Sequence, residues 1–182
     1  MRIAVYGGSF NPPHVSHGLV AAWALWTEQC DEVWLVPTFG HAFGKELAPF
    51  TERLGQCEAL ARVIGPQARV EAIEAELPTP SYTIDTLNTL AARWPAHSFR
   101  LLVGADTLLE KAAWHDWAGI ERDFAPIIAG RQGYPGIDGV PDFPGVSSTD
   151  IRERLRDGRS VEGLIPDAVL RVLDVQGRRS PS

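Results

Sequence analysis

The amino-acid sequence predicts an α/β protein, with an open parallel sheet, helices on both faces and a small C-terminal helical segment. Three observations lead there. Short, nearly unbroken apolar runs alternate with longer stretches of helical periodicity. Several of those runs lack the polar alternation of a half-exposed sheet, as expected of parallel strands covered on both sides. A glycine-rich turn, "GGSFNPPHVSHG" at 7–18, follows the first run directly, where a strand would hand over to a helix.

Five runs read as strands: 2–6, 32–37, 69–73, 99–104 and 124–130. Pro126 lies inside the fifth and predicts an edge strand, because proline cannot donate to a ladder on both sides. Helical spacing of Leu19, Val20, Trp23 and Trp26 places a first helix over 17–29. A second covers 51–64, with Cys57 in phase with Leu54, Leu60, Ala61 and Ile64 and therefore read as core. A third covers 82–94, carrying Ile84, Leu87, Leu90 and Ala91. The β-α-β alternation demands right-handed crossovers and predicts a Rossmann-like sheet, whose ligands bind beyond the carboxyl ends of the strands. Residues 130–146, dense in Gly and Pro, read as an irregular loop. Two short helices follow, near 149–157 with a stop at Gly158, and over 166–176 between Pro166 and Gly177. Residues 178–182 read as a frayed end, and 1–182 as a single domain whose segment 146–177 carries the C-terminal helices.

Size and composition narrow the function classes. With 182 residues, 45% hydrophobic and 22% charged, the chain has the makeup of an ordinary globular protein. A net charge of −6 argues against a broad nucleic-acid surface, which needs clustered Lys and Arg, though not against a small anionic ligand. No apolar run approaches the ~20 residues of a membrane span. The N-terminus lacks a signal-peptide pattern, and Cys30 and Cys57 are isolated, so a cytoplasmic protein with no membrane partner is expected. Trp23, Trp26 and Trp34 suit either a core or a subunit interface, which leaves a homo-oligomer open.

Four stretches could carry chemistry. In the first loop, His14 and His17 are three apart at a helix start and face the same way. As metal ligands they lack a third partner in sequence, and no metal site is assigned. Structural roles stay open, but donors to phosphate oxygens beside the positive end of a helix fit the setting. In "VSSTDIRERLRDG" (146–158), Ser147, Ser148 and Thr149 offer hydroxyls and N–H groups at a helix start. Ser147 and Asp150 alone would make a capping box. Arg152, one turn in, opposes the helix dipole, which an anion on the same turn would explain; a solvated arginine is the plain alternative. In "LLVGADTLLEKAAWHDW" (101–117), Asp106 follows a strand ending at Gly104, where ribose hydroxyls or a metal could meet it. Trp114 and Trp117 suit either core or a ligand platform. In "PSYTIDTL" (80–87), Tyr82 and Thr83 open a helix, and capping explains them adequately.

Taken together, "GGSFNPPHVSH", "SYTIDTL", "GADTLLEKAAWHDW" and "VSSTDIR" resemble, in order and spacing, the nucleotidyltransferase superfamily with GG(S/T)FxPxHxGH and (I/V)SSTxIR motifs. The bacterial nicotinate-nucleotide adenylyltransferases are the branch most similar to this chain, over about residues 1–175. The first and last motifs mark the superfamily, and the middle two point to the nicotinate branch. The resemblance implies transfer of the adenylyl group of ATP to nicotinate mononucleotide, with Mg²⁺, giving nicotinate adenine dinucleotide and pyrophosphate. It implies that His14, His17 and Arg152 are catalytic, and that Ser148 and Thr149 help hold the triphosphate. Gly7, Gly8, Ser9 and Phe10 would lie against the nucleotide, Gly104 and Asp106 near the adenosine, and Lys45 near phosphate. Trp114 would stack on the pyridine ring, Thr83 would lie near its carboxylate, and Tyr82 would join them in binding the mononucleotide.

The chain departs from that pattern at three places. Ser16 replaces the glycine between the histidines, Asn11 stands where Asp is common, and the segment holding His41 and Lys45 fits loosely. Rival readings are a sister transferase acting on nicotinamide mononucleotide or pantetheine phosphate, a non-catalytic nucleotide-binding module, and a metal hydrolase built on the two histidines.

Overall fold

The computed structural model describes residues 1–40 and 47–177, the last three of these by backbone alone. Six parallel strands form one sheet: β1 (Arg2–Gly8), β2 (Glu32–Pro37), β3 (Ala68–Val70), β4 (Ser98–Gly104), β5 (Ile127–Arg131) and β6 (Asp142–Phe143). Their spatial order is β3-β2-β1-β4-β5-β6, which starts in the centre, winds out to one edge, then returns to fill the other. The helices are α1 (Val15–Trp26), α2 (Phe50–Ile64), α3 (Thr83–Arg93), α4 (Asp106–Glu110), α5 (Trp117–Phe124), α6 (Ser148–Arg156) and α7 (Asp167–Gly177).

Alternation along each strand sends apolar side chains to two cores. Ala4, Leu35, Leu102 and Ala129 face one, covered by α1, α2 and α7. Ile3, Val5, Leu101 and Val103 face the other, with Leu87 and Leu90 of α3 and Ile120 and Phe124 of α5. Both faces of the central strands are therefore dry, and their apolar runs are continuous for that reason. Cys57 is fully buried, in phase with Leu60 and Ala61.

The register locates the crevice. β1 pairs with β4 only from Arg2–Ser98 to Val5–Leu101. Beyond that point β1 continues with β2 as far as Gly8–Pro37, while β4 continues with β5 as far as Gly104–Ala129. The carboxyl ends of the two central strands part, and the opening lies between Gly7–Gly8 and Gly104.

Several elements differ from expectation. β5 begins at Ile127, after Pro126, and β6 pairs outside it, so β5 is an interior strand. The proline precedes the ladder and withholds no bond from it. β6 itself arises within the Gly/Pro-rich stretch that reads as loop. β3 is three residues long, and Ile73 begins a 3₁₀ turn, Ile73–Glu76. α1 begins two residues early and buries Val20, Ala21 and Ala24, leaving Leu19 and Trp26 exposed. Small residues let that helix lie close to the sheet, a contact that bulk-weighted periodicity points away from. Trp34 is core, whereas Trp23 packs edge-on against Phe143. α4 and α5 both lie between the fourth and fifth strands, where the strand–helix alternation predicts one helix without fixing its bounds. Among the described residues, no helix is long and apolar enough to cross a membrane.

Candidate active site

A cleft of about 940 Å³ lies over the crevice. His14, the last residue of the first loop, and His17, in the first turn of α1, line it, with Ser148, Thr149 and Arg152 from α6 and Asp106 from the start of α4, just beyond β4. A smaller lobe of about 180 Å³ shares His14, His17, Asp106 and Arg131 with it and runs past Gly7 and Gly104 to Trp114. Residues from the two ends of the sequence thus meet at one cavity.

The first loop is held from three sides. Phe10 takes a left-handed backbone (φ 43°) although it is not glycine, and its ring is buried between Tyr6 and His17. That conformation costs on the order of 1 kcal/mol and is held by packing. The carbonyls on either side are captured by arginines. Arg53, itself buried, donates from Nη1 to the Ser9 carbonyl at 2.9 Å and from Nε to the Ala48 carbonyl at 2.9 Å. Arg152 donates from Nη1 to the Asn11 carbonyl at 2.7 Å, and the Ser148 hydroxyl donates to the Pro12 carbonyl at 2.9 Å. Helix α6, capped by Ser147 Oγ accepting from the Asp150 N–H, is docked on the loop by the same side chains that line the cleft.

His14 is the N-cap residue of α1, whose first turn carries no acidic residue, so the positive helix end faces the cavity unneutralised. The two imidazoles lie close together, tilted by 31°, with centroids 3.7 Å apart. Nδ1 of His17 accepts from the His14 backbone N–H at 3.1 Å. An accepting Nδ1 leaves the proton on Nε2, so His17 presents an N–H donor. Burial, reinforced by the Arg131 guanidinium, pushes His14 down to about 4 from 6.5. Burial first, then the neighbouring His14 and Arg131, holds His17 well below its ordinary range. Both rings are neutral donors at pH 7, and the positive charge of the cleft resides in Arg131, Arg152 and Arg156.

Sequence reasoning did not single out Arg131. It sits at the end of β5 and pairs with Asp106 at 2.7 Å, so the carboxylate enters the cleft already partnered. Its signal was available: an arginine closing the strand run "PIIAGR", at the carboxyl edge where ligands of such sheets bind. A Cβ on Gly104 would run into the Asp106 carboxylate, whereas one on Gly7 would meet open space. Trp117 is core, while Trp114, edge-on to it at 5.4 Å, reaches the smaller lobe.

Other expected residues stand elsewhere. Gly8, Tyr82 and Thr83 line neither lobe, though Tyr82 stacks on His115 (4.5 Å), the residue after Trp114. His41 and Lys45 lie outside the described residues. The Ser16 hydroxyl is donated to the Pro144 carbonyl at 2.7 Å, which ties α1 to the segment beyond β6. Asn11 Oδ1 accepts from the Ala48 N–H at 3.3 Å. Among the described residues, no group of three or more His, Cys, Asp or Glu converges as a metal cage. A divalent cation carried on a triphosphate, held by phosphate oxygens and water, needs no such cage. The donor set therefore suits an ion that arrives with its nucleotide.

Parallel strands in this order form a Rossmann-like fold, and a cationic cleft with a helix N-terminus lies at the split, where proteins of that class bind nucleotides. Comparison with known proteins narrows it. The cytidylyltransferase-like family profile matches residues 5–154. A protein of Anaeromyxobacter sp. (strain K), named "probable nicotinate-nucleotide adenylyltransferase", is 49% identical over 97% of this chain and 95% of its own. One of the same name from Myxococcus xanthus is 37% identical over 91% and 88%. The solved Plasmodium falciparum nicotinic acid mononucleotide adenylyltransferase complexed with NaAD superposes with a TM-score of 0.74 at 19% identity, covering 96% of each chain. The chain belongs to the nicotinate-nucleotide adenylyltransferase family of cytidylyltransferase-like nucleotidyltransferases.

Proposed function

We propose that this protein transfers the adenylyl group of ATP to nicotinate mononucleotide, releasing pyrophosphate and forming nicotinate adenine dinucleotide. One observation carries the reading: in a chain about half identical to adenylyltransferases of that name, His14 and His17 share a single cationic cleft with Arg152.

The acceptor's phosphate oxygen attacks the α-phosphorus of ATP. A new P–O bond forms, the bond to the β-phosphate oxygen breaks, and pyrophosphate leaves with that electron pair. A phosphate monoester has its second pKa near ~6, so the nucleophile is anionic at neutral pH and needs no side-chain base. The barrier lies in bringing two polyanions together and in stabilising charge on the phosphoryl oxygens and the leaving group. Nε2–H of His17 supplies a directed donor, His14 a second neutral imidazole, and Arg131, Arg152 and Arg156 supply charge. Ser148 and Thr149 complete the triphosphate side, Ser9 and Phe10 shape the loop against the nucleotide, and Trp114 offers a ring face to the pyridine. Tyr82 and Thr83 flank the acceptor side from α3. Mg²⁺, entering with ATP, neutralises phosphate charge when bound. The free thiols of Cys30 and Cys57, both buried, suit the reducing cytoplasm.

A paired assay tests the reading. Purified protein with ATP and, separately, nicotinate mononucleotide, nicotinamide mononucleotide or pantetheine phosphate is followed for dinucleotide and pyrophosphate. Nicotinate adenine dinucleotide formed one-to-one with pyrophosphate is expected, with the other acceptors far slower. Turnover confined to another acceptor would replace the reading with a sister transferase, and ATP binding without turnover would replace it with a binding module.

A further inference from the structure

We infer that Glu74 is a positioning residue for the acceptor half of the site, acting through the entrance of α3; the inference rests on the acceptor side assigned above. Glu74 lies on the 3₁₀ turn after β3, is only 8% exposed, and lines neither lobe of the cleft. A buried carboxylate is costly unless its oxygens are bonded. Here three segments supply the donors. The Ser81 hydroxyl donates to Oε2 at 2.8 Å and the Thr86 hydroxyl to Oε1 at 2.9 Å, bracketing Tyr82 and Thr83. The Phe39 N–H, just beyond β2, reaches Oε2 at 3.3 Å.

This arrangement replaces an ordinary helix cap. Tyr82, the N-cap residue of α3, makes no side-chain capping bond. The hydroxyls of Ser81 and Thr86, on either side of the helix start, are instead turned onto Glu74. The start of α3 is therefore fixed by Glu74 and not by a capping bond from its own N-cap side chain. Held there, Tyr82 stacks on His115, and His115 is bonded in sequence to Trp114 of the smaller lobe. The two shortest bonds of Glu74 both lead to this entrance. None leads to His14, His17 or Arg152, and its charge reaches Arg53, which holds the Ser9 carbonyl, only through space, so its removal should disturb the acceptor far more than ATP.

The test measures Michaelis constants for both substrates on the wild type, Glu74→Ala, Glu74→Gln, Ser81→Ala and Thr86→Val. The acceptor is whichever one the wild type uses, so failure of the nicotinate reading appears in the wild type and not in the variants. Glu74→Ala should raise the acceptor KM roughly tenfold or more, the scale of losing a charge-assisted hydrogen bond, with the ATP KM within twofold. Glu74→Gln, which keeps one accepting oxygen, should recover part of the loss, and each hydroxyl deletion should raise the acceptor KM about threefold. If Glu74→Ala does not fold, the other three variants carry the test. Equal rises in both KM values, or lowered thermal stability with an unchanged acceptor KM, would overturn the inference and leave Glu74 a fold residue.

Discussion

His14 and His17 are the residues on which the proposed chemistry turns, and their environment determines which property they would contribute. An exposed histidine pair near pH 6.5 would offer charge. This pair, with His14 buried, His17 half-buried and Arg131 nearby, offers neutral N–H groups, with the His17 tautomer set by the His14 amide. Directed donors matter most where charge develops in the transition state, so His17→Ala should lower kcat at saturating ATP by about two decades. A kcat within a few-fold of wild type would remove His17 from that role. The same burial has a cost in stability. The unfolded chain binds a proton on His14 near pH 6.5 and the folded chain only near 4, so folding stability from this group falls as pH drops through that window. Between pH 7 and 4.5 the loss is on the order of 2 kcal/mol. Urea unfolding at the two pH values should show a drop smaller by about that amount in His14→Gln; equal drops in both proteins would contradict the burial argument.

At the level of elements, the departures from the family pattern have structural uses. Ser16, which departs from the glycine of the motif that the first loop resembles, commits its hydroxyl to the fold. It bonds the start of α1 to the Pro144 carbonyl across the mouth of the smaller lobe. Ser16→Gly should therefore lower stability by about 1–2 kcal/mol, a lost hydrogen bond plus the helix cost of glycine. kcat/KM for ATP should stay within about threefold of wild type, on the scale of ~0.7 kcal/mol. A large loss of activity with unchanged stability would mean that the hydroxyl acts on the substrate. α3 was legible in the sequence because its burial follows the bulky Ile84, Leu87 and Leu90, and α2 because Cys57, Leu60 and Ala61 keep its helical phase. α1 was harder to read, because alanines and not its tryptophans meet the sheet. β6 and the interior position of β5 were illegible for a different reason: a two-residue strand has no period, and Pro126 carries the same meaning at an edge and one residue before a ladder.

Across the whole molecule, the order β3-β2-β1-β4-β5-β6 brings distant motifs to one opening. Local words in the sequence identified the loop at 7–18 and the α6 start, but their meeting depends on crossovers that no single word encodes. Arg131 and Glu74 escaped notice because each acts through a tertiary partner, Asp106 in one case and the α3 entrance in the other. The ties from Arg152 and Ser148 to the first loop mean that the two ends of the site are also held together mechanically. The most direct measurement of that convergence is a crystal structure with a non-hydrolysable ATP analogue. It should show phosphate oxygens within roughly 3.2 Å of both His17 Nε2 and the Arg152 guanidinium. Phosphates lying outside this cleft, or touching only one of those two groups, would contradict a shared polyphosphate site.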